Sequence, residues 1–141
     1  MSSAYYAMFH CLAGNCADLL VGGTKSTRSE PAWRQTYRAL EHGSAKSACN
    51  DGLINAFPPP IQDFASHFVA MQDKRHSADY DPATRLTKSE LMAEIKKTTS
   101  AISDFEAASP KDRRAFAVFV LFKRRPESKT NASTGGFRKR R

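Results

Sequence analysis

The chain has 141 residues, enough for one domain with a buried core, and 40% of them are hydrophobic. Its formal charge of +8 is unevenly placed: residues 1–110 carry 11 Lys and Arg against 12 Asp and Glu, whereas residues 111–141 carry 11 against 2. No apolar run approaches the roughly 18 residues of a membrane span, no secretory leader opens the chain, and Cys11, Cys16 and Cys49 have neither CxxC nor zinc-site spacing. A reduced cytoplasmic protein is the expectation, with no membrane association, no structural metal and no cofactor.

Taken in chain order, the sequence reads as helices with little that resembles strand. A first helix is predicted from about Ser3 to Leu20, where Tyr5, Phe9, Leu12, Cys16 and Leu19 recur at helical spacing and Gly22-Gly23 provides the stop. Pro31 suits the first position of a second helix, which carries a thin stripe of Trp33, Tyr37, Leu40 and Ser44 opposite Arg34, Arg38 and His42. Gly43 is the expected break in it, leaving Ser44 to Cys49 as a further turn. Pro58-Pro59-Pro60 separates these from a third helix, about Ile61 to Asp79, whose apolar face is Ile61, Phe64, Ala65, Phe68 and Met71. His67 lies off that stripe and reads as exposed, and Asp81-Pro82 ends the helix.

A capping box, Thr87-Lys88-Ser89-Glu90, announces the fourth helix, with Leu91, Ile95, Thr98, Ile102 and Phe105 on its inner face. Ser109-Pro110 opens the last helix, apolar all round from Ala115 to Phe122, with Lys123-Arg124-Arg125 closing it at the negative end of its dipole. About five helices joined by short or moderate loops predict an all-α, antiparallel up-and-down bundle over residues 1–125. Residues 126–141 are Ser/Thr/Asn/Gly-rich and finish on Phe137-Arg138-Lys139-Arg140-Arg141. They read as a basic disordered tail, either solubilising or attracted to nucleic-acid phosphates without sequence preference.

Charge enters the third helix where core is expected. Arg75 and Asp79 continue the apolar face of Phe64, Phe68 and Met71, and charged groups there are costly unless paired or used. Two readings stand: an i to i+4 ion pair where the helix meets solvent, or a polar pocket at the bundle's end with His76 at its rim. On the second helix Arg38 and His42 are also four apart. Together they supply the groups that metal-independent RNA cleavage requires, His for proton transfer and Arg for phosphate charge. Alternatively, Glu41 and His42 simply finish a helix ending at Gly43. Tyr5, Phe9 and Trp33 read as core rather than as a base-stacking platform.

Ala4-Tyr5-Tyr6-Ala7-Met8-Phe9-His10, followed two helices later by Arg75-His76-Ser77-Ala78-Asp79-Tyr80-Asp81, resembles the paired signatures of the HEPN superfamily (higher eukaryotes and prokaryotes nucleotide-binding), in its branch of small stand-alone proteins. The resemblance covers residues 3 to about 107. It implies a helical bundle, commonly homodimeric, in a superfamily rich in RNA-cleaving toxins, phage-defence proteins and RNA-binding modules. It also implies that Tyr6 and His10 sit near Arg75, Asp79 and Tyr80 in a polar network. Ribonuclease members have four to six residues between Arg and His. Here Arg38 and His42 have three residues between them and Arg75 and His76 have none. A further helix normally precedes the Tyr-Tyr motif, and the expectation is either a true start upstream of Met1 or an open groove that a second chain fills.

The resulting expectation is an RNA-associated or partner-binding module of a toxin-antitoxin or defence type system. It would be a homodimer, with RNA, a cognate antitoxin or another protein as partner. Two alternatives accompany it: a metal-independent ribonuclease toxin using Arg38 and His42, or Arg75 and His76, and a structural subunit that accepts a missing partner helix.

Overall fold

The computed structural model describes residues 2–80 and 87–124, with side chains described for 3–76 and 87–124. It is an all-helical bundle: α1 (Ser2–Leu20), α2 (Glu30–Ala39), α3 (His42–Cys49), a 3₁₀ helix (Gly52–Ala56), α4 (Pro59–Tyr80), α5 (Lys88–Ala107) and α6 (Pro110–Leu121), with no strand among the described residues. The expected boundary at residue 125, the stop at Asp81-Pro82 and the basic tail with Arg138, Lys139, Arg140 and Arg141 all lie outside the described residues.

α1 is the central element. Tyr5, Met8, Phe9, Leu12, Ala13, Cys16 and Ala17 are all buried, a face too broad for one neighbour to cover, and α2, α4, α5 and α6 all pack against it. Its end is sharp because Gly22 has φ +143°, a backbone region open to glycine. A Cβ there would lie 2.5 Å from Ser26 Oγ, so space as well as backbone conformation requires the glycine. The following loop is clasped by Arg28. Its guanidinium lies 4.6 Å over the Trp33 ring, and it donates to Glu30 at 2.7 Å and to the Gly22 carbonyl at 3.1 Å. Trp33 corrects the expectation of a core residue: it is half-buried, because its indole N–H donates to Asp18 at 2.9 Å beside that clasp.

The helices differ from expectation between α2 and α3. The break falls at Leu40 and Glu41, both extended, and Gly43 lies within α3. Turning the chain at Leu40 drops that side chain into the core, whereas Gly43 is exposed and faces open space. Burial therefore outweighs glycine's weak local preference for a break. The separated α3, with Ala45 and Cys49 buried, makes six α-helices among the described residues, against an expectation of about five.

Two prolines occupy the first turn of α4, where their missing N–H groups cost nothing, and the Ile61 and Gln62 N–H groups both return to the Pro58 carbonyl. The predicted stripe of α4 is fully buried. His67 is buried as well, against expectation: it is 6% exposed and its Nε2 meets Thr98 Oγ1 at 2.8 Å. α5 packs along that flank, so the buried face of α4 is wider than its apolar stripe.

The capping box of α5 forms in both directions, Glu90 N–H to Thr87 Oγ1 at 3.1 Å and Thr87 N–H to Glu90 Oε1 at 2.8 Å. Thr98 and Phe105 are buried, while Ile95, expected inside, is 46% exposed. Phe105 stacks on Phe64 at 4.3 Å and meets Phe116 of α6 edge-on at 5.9 Å, which joins three helices through aromatic contacts. α6 ends at Leu121, so Lys123 and Arg124 follow the helix rather than closing it, and Val118 is exposed.

Candidate functional site

The N-terminal half of α1 carries Tyr5, Tyr6, Phe9 and His10, two i to i+4 pairs on adjoining flanks. The break at Leu40 sets His42 at the start of α3, opposite these aromatics, and α4 brings Arg75 alongside. Tyr6 is the hub of the cluster: its ring lies 5.1 Å from the Arg75 guanidinium, 6.0 Å from the His42 ring and 6.2 Å from the His10 ring. Its hydroxyl oxygen accepts a hydrogen bond from Arg75 at 2.9 Å. Tyr37 of α2 extends the cluster, hydrogen-bonded to His10 Nδ1 at 2.6 Å and stacked on Trp33 at 5.2 Å.

His42 is the most constrained member. Its ring stacks on Phe9 at 3.9 Å with 14° between planes, and its Nδ1 lies 2.6 Å from the Tyr5 hydroxyl. Gln72 of α4 donates to the His42 carbonyl at 3.3 Å, which ties the start of α3 to the same helix that bears Arg75. Burial, together with the charges of Arg75 and His10, holds the His42 pKa below the usual imidazole value. Burial also pushes the Tyr5 hydroxyl up to about 12, against the opposing pull of Arg75. Tyr5 therefore keeps its proton at neutral pH, and its hydroxyl shares with Nδ1 a hydrogen bond whose donor is set by the His42 tautomer.

Of the residues singled out from the sequence, Tyr6, His10, His42 and Arg75 come together. Arg38 and His42 do not share a helical face: α2 ends at Ala39 and His42 begins the next helix, so the pairing expected from their spacing is replaced by that of His42 with Tyr5 and Phe9. Arg38 is exposed. His76 is exposed beside Arg75, and the side chains of Asp79 and Tyr80 lie outside the described residues. Sequence reasoning placed Tyr5 and Phe9 in the core, where they are, but missed that the Tyr5 hydroxyl and the Phe9 face hold a histidine. It missed Gln72 entirely. The i to i+4 aromatic spacing was visible; which residue would lie against it depends on where α3 starts.

This cluster has the groups for binding an anion or a stacked base, and for moving a proton: a guanidinium, two imidazoles and exposed aromatic edges. Thiol chemistry is disfavoured, since burial pushes Cys11, Cys16 and Cys49 each up to about 12. Among the described residues no group of three or more His, Cys, Asp or Glu side chains is arranged to hold a metal ion, and no helix is long and apolar enough to cross a membrane. Comparison with family models, curated proteins and solved structures finds no match to this chain.

Proposed function

We propose that the chain is a HEPN-like helical module that associates with RNA, working as a cytoplasmic homodimer in a toxin-antitoxin or defence type system. The observation that carries this reading is the hydrogen bond from Arg75 to Tyr6, because it joins the two signatures on which the family resemblance rests, one in α1 and one in α4. A guanidinium lying over two tyrosine rings, 5.5 Å from Tyr5 and 5.1 Å from Tyr6, supports recognition of a charged, stackable polymer. The 11 Lys and Arg among residues 111–141 add sequence-independent attraction to its backbone.

A second reading, a metal-independent ribonuclease, is favoured by the gathering of His10, His42 and Arg75 about one tyrosine. In it Arg75 replaces Arg38 as the phosphate partner of His42. The two readings separate in one experiment: labelled RNA is incubated with the full chain in EDTA and assayed for both retention and cleavage. Salt-sensitive retention of intact RNA, weakened by Arg75→Gln, supports the binding module. Cleavage that is abolished by His42→Ala supports the nuclease. Neither retention nor cleavage by folded protein would sink both.

A further inference from the structure

We propose that Arg75, His10 and His42, arranged around Tyr6, form a phosphate-binding site that takes up a proton when it is occupied. The inference rests on the RNA reading for the source of the phosphate, and on geometry for its chemistry. Three elements each contribute one nitrogen-rich side chain: α1 gives His10, α3 gives His42 and α4 gives Arg75. The Tyr6 ring sits within 6.2 Å of all three, and it is partly exposed, as are Arg75 and His42, while His10 is exposed. A ligand therefore has a route to the cluster from solvent.

The groups facing His42 can be named element by element. From α1 they are Tyr5, Tyr6 and His10; from α4 they are Arg75 and the neutral Gln72. Tyr37 of α2 reaches the cluster through His10. None of these described side chains is a carboxylate. Asp79 follows Arg75 by one turn in sequence, and its side chain lies outside the described residues. The site does not require Arg75 to be unpaired. A guanidinium has five N–H groups and serves more than one acceptor at a time.

The positive surroundings that oppose a proton on His42 are the surroundings that attract an anion. A bound phosphate cancels the repulsion from Arg75 and His10, so His42 gains its proton more readily in the complex, and by reciprocity the protonated site binds phosphate more tightly. The Tyr5 hydroxyl suits both states of the ring, because it can donate to or accept from Nδ1 when His42 is neutral and can accept from it when His42 is charged.

The test follows the histidine ring signals of the full chain by NMR across pH 5 to 8 in sodium chloride, and again at matched ionic strength with inorganic phosphate or with the dinucleotide UpU. The expected result is a rise of about one unit in the His42 pKa, equivalent to a tenfold tighter affinity for the anion when His42 is protonated. Arg75→Gln should abolish the rise and Arg75→Lys should retain part of it, each in protein whose circular dichroism matches the parent. A His42 titration that neither anion moves would overturn the site, as would a rise that persists in Arg75→Gln. RNA retention without any change at His42 would overturn the phosphate site and leave the RNA reading standing. A shift with phosphate and UpU in a chain that retains no RNA supports the site and removes the RNA reading.

Discussion

The His42 imidazole lies flat on the Phe9 ring, 3.9 Å between centroids and 14° from parallel, while its Nδ1 is bonded to Tyr5. A ring held by one face and one nitrogen has a fixed orientation. The same enclosure makes its charged form costly, and this cost reappears in the stability of the whole fold.

His42 and His67 both have pKa values held below the ordinary imidazole value, His42 by burial, Arg75 and His10, and His67 by burial with Lys97 and Lys74, opposed by Glu94. Unfolding restores the ordinary value, so below about pH 6.5 the unfolded chain binds protons that the folded chain does not. Stability from both groups is full above that pH and is lost as pH falls through the lower folded values. Urea midpoints measured at pH 7.5, 6.5 and 5.5 should decline in that order, and Thr98→Val should alter the decline, because it removes the His67 partner.

Tyr5→Phe removes a buried hydroxyl and leaves His42 Nδ1 without its hydrogen-bond partner. The expected loss is about 1 kcal/mol in urea denaturation. Tyr6→Phe removes a partly exposed hydroxyl bonded to Arg75 and should cost less, while weakening RNA retention more than Tyr5→Phe does.

Phe64 stacks on Phe105 at 4.3 Å, and both are fully buried. Phe64→Ala or Phe105→Ala should each destabilise by about 3–5 kcal/mol, a large share of the roughly 5–15 kcal/mol that holds a domain of ordinary stability. Ile95→Ala on the outer side of α5 should stay within about 1 kcal/mol. Equal losses at Phe105 and Ile95 would mean that α5 presents a different face to the core.

Gly22→Ala places a side chain where φ is +143° and Ser26 Oγ is 2.5 Å away. Thermal denaturation should register a loss of about 1–3 kcal/mol. The double variant with Ser26→Gly should recover the steric share of that loss and none of the backbone share.

The helices most legible in the sequence were those set by local chemistry. The Thr87 to Glu90 box starts α5 through hydrogen bonds among four consecutive residues, so no distant contact was needed to read it. The α4 stripe was legible for a similar reason, since Phe64, Phe68 and Met71 announce their face by spacing alone. The α2 to α3 break was not, because it depends on Leu40 reaching the core, and the depth of a core is invisible one helix at a time. His67 was misjudged on the same ground: α5 covers a flank that the pattern of α4 marks as open. The site divides likewise. Tyr6, His10 and Arg75 stood out as motif residues, whereas the bond from Tyr5 to His42 spans 37 residues and exists only because α3 begins where it does.

α1 touches α2, α4, α5 and α6, and its Asn15 is bonded to Arg113 of α6 at 3.0 Å. The packing of α1 is therefore completed across long stretches of sequence, since α6 reaches it from a point 98 residues further along the chain. Contacts this distant in sequence slow folding, because the chain between them must be closed into a loop before they can form.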